Sequence, residues 1–280
     1  TGIFDGQNHE IRNFTVECAA DGEGILSYGL FGTVSGTVKN LGIDNFSFDA
    51  TATGKADCRA GGIAGQVLSG GRIENCFTVN SSILTGSRIA GGIAGCNYGG
   101  TIENCFAYNN TVTGHSRCAA IVGDTVTDSG APTKLIGYVT NCYANKAPVG
   151  SQNGGDTYIT SCEQKSAEQF QSGEVAYLLG EAWGQTPGEG LPVLGGEPVK
   201  QASDGTYYND IIQVTIVWTS MEFTYGETWN PETLQYEESW TASGDGAVTV
   251  TNEGTMAVNA EFAYEQKYKP VTGSFSPRLH

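Results

Sequence analysis

Gly61-Gly62-Ile63-Ala64-Gly65 leading to Gly71-Arg72-Ile73-Glu74-Asn75-Cys76-Phe77 returns almost residue for residue as Gly91-Gly92-Ile93-Ala94-Gly95 leading to Gly100-Thr101-Ile102-Glu103-Asn104-Cys105-Phe106. The copies are offset by 29 to 30 residues, and self-similarity at such a period marks a repeat architecture. Weaker copies flank them. Gly29-Leu30-Phe31-Gly32 leads to Val38-Lys39-Asn40-Leu41, and Ala119-Ala120-Ile121-Val122-Gly123 leads to Val139-Thr140-Asn141-Cys142. Partial units stand at Ile11-Arg12-Asn13-Phe14 and Ile159-Thr160-Ser161-Cys162.

Aligned, the copies form columns. A β-branched column runs Ile11, Val38, Ile73, Ile102, Val139 and Ile159. Two places on stand Asn13, Asn40, Asn75, Asn104, Asn141 and then Ser161, followed by Phe14, Leu41, Cys76, Cys105, Cys142 and Cys162. Each copy has strand-sized runs between glycine corners and cannot bury its own apolar face, so neighbours must stack. Asn tolerates the left-handed conformation a corner needs, and no 3.6-residue period is present. The columns therefore predict an all-β fold, a parallel β-helix of about six coils over residues 1–165. Crossover chirality predicts a right-handed one. Asn amides stacked about 4.8 Å apart would hydrogen-bond along their column.

These residues resemble the GLUG-motif family, through Gly-Leu-Phe-Gly at 29–32 and Gly-Gly-Ile-Ala-Gly at 61–65 and 91–95, each followed by the Ile/Val-x-Asn segment. Phe4-Asp5-Gly6-Gln7-Asn8-His9-Glu10-Ile11 also looks like the unit that precedes such repeats. The resemblance covers residues 1–165. It implies a right-handed β-helix of large bacterial cell-surface proteins, including adhesin-like proteins of gut bacteria and non-catalytic regions of some immunoglobulin A proteases. It implies no catalytic residues.

Composition agrees with a turn-rich chain. Forty of 280 residues are Gly, and charged residues make 16% against a usual level of about 25%. Residues 1–165 hold 27 of the glycines with a net charge of −4, leaving −12 of the total −16 to 166–280. That balance argues against nucleic acid or an anionic membrane as partner, because both are bound by Lys and Arg. No apolar run is long enough to span a bilayer and no signal peptide is recognisable. Thr1 is not a start methionine and the pattern begins partway through a unit, so a fragment or processed chain is expected.

Ser166-Ala167-Glu168-Gln169 has capping-box spacing. After it, Glu174 to Leu179 reads as one amphipathic helix ended by Gly180, expected to cap the open end of the β-helix, with packing between the domains as the alternative. Trp183 to Pro198 reads as a Gly/Pro-rich connector, which gives 166–200 as cap and connector. From about Tyr207 the period becomes two, at Ile212, Val214, Ile216 and Trp218 and again at Val258, Ala260, Phe262 and Tyr264, with runs at 221–225 and 247–252 between them. Residues 201–280 are thus predicted as a small antiparallel β-sandwich, weakly resembling immunoglobulin-like modules. Its few strands lead to the expectation of a continuation beyond His280.

Cys76, Cys105, Cys142 and Cys162 share a column with Phe14 and Leu41, which reads as small buried hydrophobes; a disulfide within the ladder or a bound metal are the alternatives. Cys118 falls level with Ala60 and Ala90, whereas Cys18, Cys58 and Cys96 have no assigned column. With only His9, His115 and His280, no His-Glu-x-x-His metalloprotease site can be written. The column Arg12, Lys39, Glu74, Glu103, Thr140, Thr160 accepts both signs and reads as a solvated face. Asp124 and Asp128 could hold a cation, but lack an EF-hand loop. Phe77, Phe106 and Tyr143 should point outward if the Cys column points in, offering rings to a sugar or partner protein; the alternative is that they stack on one another or lie under inserted loops. The sequence thus predicts a non-enzymatic, extracellular or secreted surface protein. It would be an adhesin-like stalk or binding module for a host or dietary glycan or protein, with no cofactor and no metal. A carbohydrate-active lyase or hydrolase and a pure spacer are the rivals.

Overall fold

The computed structural model describes residues 2–17, 25–50, 57–85, 89–114, 117–125, 137–146, 148, 150, 158–210, 214–218, 222–243, 248–252 and 254. The chain divides into two compact units, Thr1–Asn209 and Asp210–His280. The first unit is built on a β-solenoid. One sheet stacks Ile3–Arg12, Thr37–Asp44, Arg72–Val79, Thr101–Tyr108, Tyr138–Ala144 and Tyr158–Gln164, all parallel. A second holds Thr15–Glu17, Ser47–Ala50, Ser82–Thr85 and Thr111–Thr113; a third Ile25–Tyr28, Asp57–Gly61, Ile89–Gly91 and Arg117–Ala119; a fourth Phe31–Val34, Ala64–Leu68, Ala94–Tyr98 and Val122–Asp124. Among the described residues the first sheet thus has six strands and the others four.

Inside the first sheet, Val38, Ile73, Ile102 and Val139 stack with at most 3% exposure, and each fully buried aliphatic side chain contributes about 1.5–3 kcal/mol. The first coil departs from the aligned columns. Val38 pairs with Phe4 and Ile43 with Ile11, so Ile11-Arg12-Asn13-Phe14 sits further round its coil. Phe14 stacks on Phe46 at 4.7 Å, while the register partner of Leu41 is His9. The cause is the irregular stretch between Asp5 and His9, where Gln7 and Asn8 adopt φ of 51° and 64° instead of a single corner Asn.

Two Asn columns turn the chain. Asn40, Asn75, Asn104 and Asn141 have φ of 50° to 53°, and Ser161 has 53°. A second column comprises Asn13, Asn45, Asn80 and Asn109, with φ of 51° to 57°. Left-handed backbone costs an ordinary residue about 1–2 kcal/mol, and Asn relieves it by local hydrogen bonding. The amides also bond between coils. Nδ2 of Asn75 donates to Oδ1 of Asn40 at 3.2 Å, Asn141 to Asn104 at 2.9 Å, Asn45 to Asn13 at 2.8 Å and Asn109 to Asn80 at 2.9 Å. Asn40 reaches Asp5 at 3.1 Å and Asn80 reaches Asp44 at 3.0 Å.

The Gly-Gly-Ile-Ala-Gly corner joins the third sheet to the fourth. Ile63, Ile93 and Ile121 fill its inside, each fully buried. A Cβ on Gly95 would lie 2.7 Å from the Ala60 nitrogen and 3.0 Å from the Arg59 carbonyl carbon. Only hydrogen fits there, because the two sheets meet backbone to backbone.

Residues 166–195 form a layer on the outer side of the first sheet rather than the expected end cap. Ser166 makes the predicted capping box with Gln169. Two short helices follow rather than one, α1 (Ala167–Gln171) and α2 (Glu174–Leu179), separated at Gly173 with φ 93°. Lys165 pairs with Glu174 at 2.9 Å, and Asn141 Nδ2 donates to the Leu178 carbonyl at 2.9 Å. Farther along, Trp183 meets Phe106 and Phe77, and the Gly195 backbone reaches Asn8 in the first strand. The segment therefore runs back along the stack. Its expected connector instead carries the fully buried Trp183 and an antiparallel pair between Trp183–Gly184 and Val193–Leu194, while Val199–Gln201 pairs with Tyr207–Asn209, so residues 201–209, expected in the sandwich, belong to the first unit.

In the second unit, Val214–Trp218 pairs antiparallel with Val248–Asn252, and Glu222–Asn230 with Gln235–Ser243. Two-residue alternation does not mark the strand Gln235–Ser243. The run Val258 to Tyr264 lies outside the described residues.

Candidate functional site

Phe77, Phe106 and Tyr143 do fall in one outward column, in register on adjacent strands. They are not exposed. Their fractional exposures are 5%, 0% and 4%, because Phe170, Val175, Leu179 and Trp183 pack over them as a second apolar cluster. The Phe77 and Phe106 rings are parallel at 5.0 Å. Trp183 lies 5.2 Å from Phe106 and 5.9 Å from Phe77, and Phe170 lies 5.7 Å from Phe106. Tyr143 donates its hydroxyl to Asn141 Oδ1 at 2.6 Å, and burial pushes that hydroxyl up to about 12. The row does stack on itself, but its cover is the segment 166–195 that follows the last sheet strand and not an inserted loop. An outward apolar stripe has to be covered by something, and residues 166–195 supply that cover.

The charged column is corrected at one position. Its members are Asp5, Lys39, Glu74, Glu103, Thr140 and Thr160, with Asp5 where Arg12 was expected. Lys39 pairs with Asp5 at 3.4 Å, and Arg72 pairs with both Glu74 and Glu103. Burial, with Glu74 nearby, raises the Glu103 carboxyl above its usual range against the pull of Arg72. A single guanidinium thus holds two stacked carboxylates together. Arg12 pairs with Glu10 and Asp44.

Asp124 is buried and paired with Arg117, while Asp128 lies outside the described residues. Among the described residues, no group of three or more His, Cys, Asp or Glu is placed to hold a metal ion. Cys76, Cys105 and Cys142 are buried free thiols in column, and Cys162 continues them half-buried. Each thiol lies 3.1–3.3 Å from the carbonyl two residues back, at Glu74, Glu103, Thr140 and Thr160. Each of those carbonyls is followed by the left-handed residue of its strand, Asn75, Asn104, Asn141 or Ser161, and the thiol is a donor that reaches it. Burial raises Cys105 and Cys142 well above the ordinary thiol range. Cys118 is level with Ala60 and Ala90 as expected, Cys58 faces Leu26, and Cys96 is fully buried between Gln66 and Asp124. Cys18 and His115 lie outside the described residues.

Two features escaped the sequence columns. The second Asn corner was readable from Asn45, Asn80 and Asn109, which recur 29 to 35 residues apart. The other is in the second unit, where Trp229 and Tyr236 are 47% and 64% exposed with ring centroids 5.1 Å apart. Their pairing depends on the unpredicted strand at 235–243.

Residues 86–113 match the family profile described as the GLUG motif, a span that runs from the second glycine corner through the second full Asn-Cys-Phe segment. No curated protein and no solved structure matches the chain.

Proposed function

We propose that this β-solenoid repeat chain is part of a non-enzymatic, extracellular bacterial surface protein in which the solenoid serves as an adhesin-like stalk. The observation that carries the reading is the sealed aromatic row. The apolar stripe on the long sheet is occupied by the chain's own residues 166–195, which favours a rod over a ligand-presenting face. Right-handed winding in six coils follows from crossover chirality and the repeat columns. Mechanical unfolding of residues 1–209 tests the stalk: resistance to high force is expected, and peeling at low force would count against it. Biotinylation of intact cells tests the location, and a protein shielded from the reagent would refute it.

A second reading, adhesion to an extracellular glycan or host surface protein, is favoured by Trp229 and Tyr236. An exposed ring pair on a hairpin suits stacking on a sugar ring or an apolar protein contact. We infer that the second unit is a β-sandwich module presenting this pair. A glycan and matrix-protein array probed with the full chain should give binding that Trp229→Ala abolishes and that residues 1–209 lack. Binding by 1–209 alone would reverse the assignment. Polysaccharide cleavage lost on Glu103→Gln would overturn the non-enzymatic reading.

A further inference from the structure

Every Asn-x-Ser/Thr tripeptide of the chain falls in the second Asn column. They are Asn13-Phe14-Thr15, Asn45-Phe46-Ser47, Asn80-Ser81-Ser82 and Asn109-Asn110-Thr111. Thr15, Ser47, Ser82 and Thr111 pair strand to strand in register, so the four tripeptides stack as one row where the first sheet turns into the second. All four Asn side chains are exposed, at φ of 51° to 57°. The first Asn corner shows that this turn does not itself demand a hydroxyl. Asn40, Asn75, Asn104 and Asn141 take the same φ, yet two residues on stand Gly42, Phe77, Phe106 and Tyr143.

An exposed Asn with Ser or Thr two residues on is the acceptor pattern for an N-linked sugar. We propose that Asn13, Asn45, Asn80 and Asn109 are a row of N-glycosylation acceptors, each taking a single hexose from a nucleoside-diphosphate sugar. In the transfer the bond from Nδ2 to the anomeric carbon forms as the bond from that carbon to the diphosphate oxygen breaks. The nucleoside diphosphate leaves with the electron pair, and the amide proton passes to a base of the transferase.

The ladder is compatible with this chemistry. A primary amide carries two hydrogens, and the bonds from Asn45 to Asn13, Asn109 to Asn80 and Asn80 to Asp44 each use one. The other is available for substitution. Asn13 is the most open of the four acceptors in this structure, with its Oδ1 taken by Asn45 and no bond from its Nδ2 among the described residues. Coils about 4.8 Å apart leave room for one ring per coil and not for branched chains.

The inference is independent of the stalk reading. The chain is purified from the cells that make it and mapped by peptide mass spectrometry, alongside Thr15→Ala and Asn13→Gln made in the same cells. A hexose on the Asn13 peptide is expected, lost in both variants, with the Tm of Thr15→Ala unchanged because Thr15 is exposed. A purely structural column predicts no adduct in any of the three. An unmodified row, or an adduct at Asn13 that survives Thr15→Ala, overturns the inference. Biotinylation of the same cells reads location separately, so a surface-exposed but unmodified protein defeats this inference alone.

Discussion

A corner Asn has two duties that substitution can separate. Asn104 holds φ of 52° and accepts a hydrogen bond from Asn141. Asn104→Gly keeps the backbone free and loses the amide; Asn104→Ala loses both. Urea unfolding should therefore find Ala less stable than Gly by about 1–2 kcal/mol, the reverse of the usual order inside regular structure. Buried thiols set an alkaline limit. Burial raises Cys96 from an ordinary 9.0 to about 12. The folded state thus keeps its proton when the unfolded chain has lost it, so the associated stability is complete below pH 9 and declines as pH rises toward 12. Thermal melts from pH 8 to pH 11 should show Tm falling, and Cys96→Ala should flatten that slope. The first Asn column and the Cys column could be read from the repeat because each residue's role there is local to its turn. Asn13 lies in the second column because its coil makes the first corner with Gln7 and Asn8, and no repeat unit encodes that exchange.

Among the elements, α1 and α2 with the chain to Leu194 convert an exposed row into a second core. Phe106 is central to it, fully buried against Trp183 and Phe170. Phe106→Ala should cost about 3–5 kcal/mol in chemical denaturation. Truncation at residue 165 should leave a soluble signal for hydrophobic dye binding that the intact chain lacks. Sequence periodicity identified Phe77, Phe106 and Tyr143 as one outward column and gave the capping box at Ser166. It could not say what lies on that column, because the cover is a non-repeating segment whose contacts, such as Trp183 on Phe77, span about a hundred residues.

At the scale of the molecule, the division at Asn209–Asp210 predicts that residues 1–209 made alone keep the near-UV circular dichroism of the buried Trp183 and Phe106; its loss would mean that the second unit is needed for the first to fold. A stack of repeats ordinarily frays from its ends, since each coil leans only on its neighbours. Residues 165–195 change that. They touch Tyr138–Ala144, Thr101–Tyr108, Arg72–Val79 and Ile3–Arg12, so they act as a clasp laid across most of the pile. A coil inside the clasp cannot loosen without disturbing the others, which turns a gradual unzipping into one cooperative event. The clasp is also later in the chain than every coil it holds. During synthesis the stack must wait in a weaker, zipper-like state, and the solenoid locks only when residues 165–195 arrive behind it.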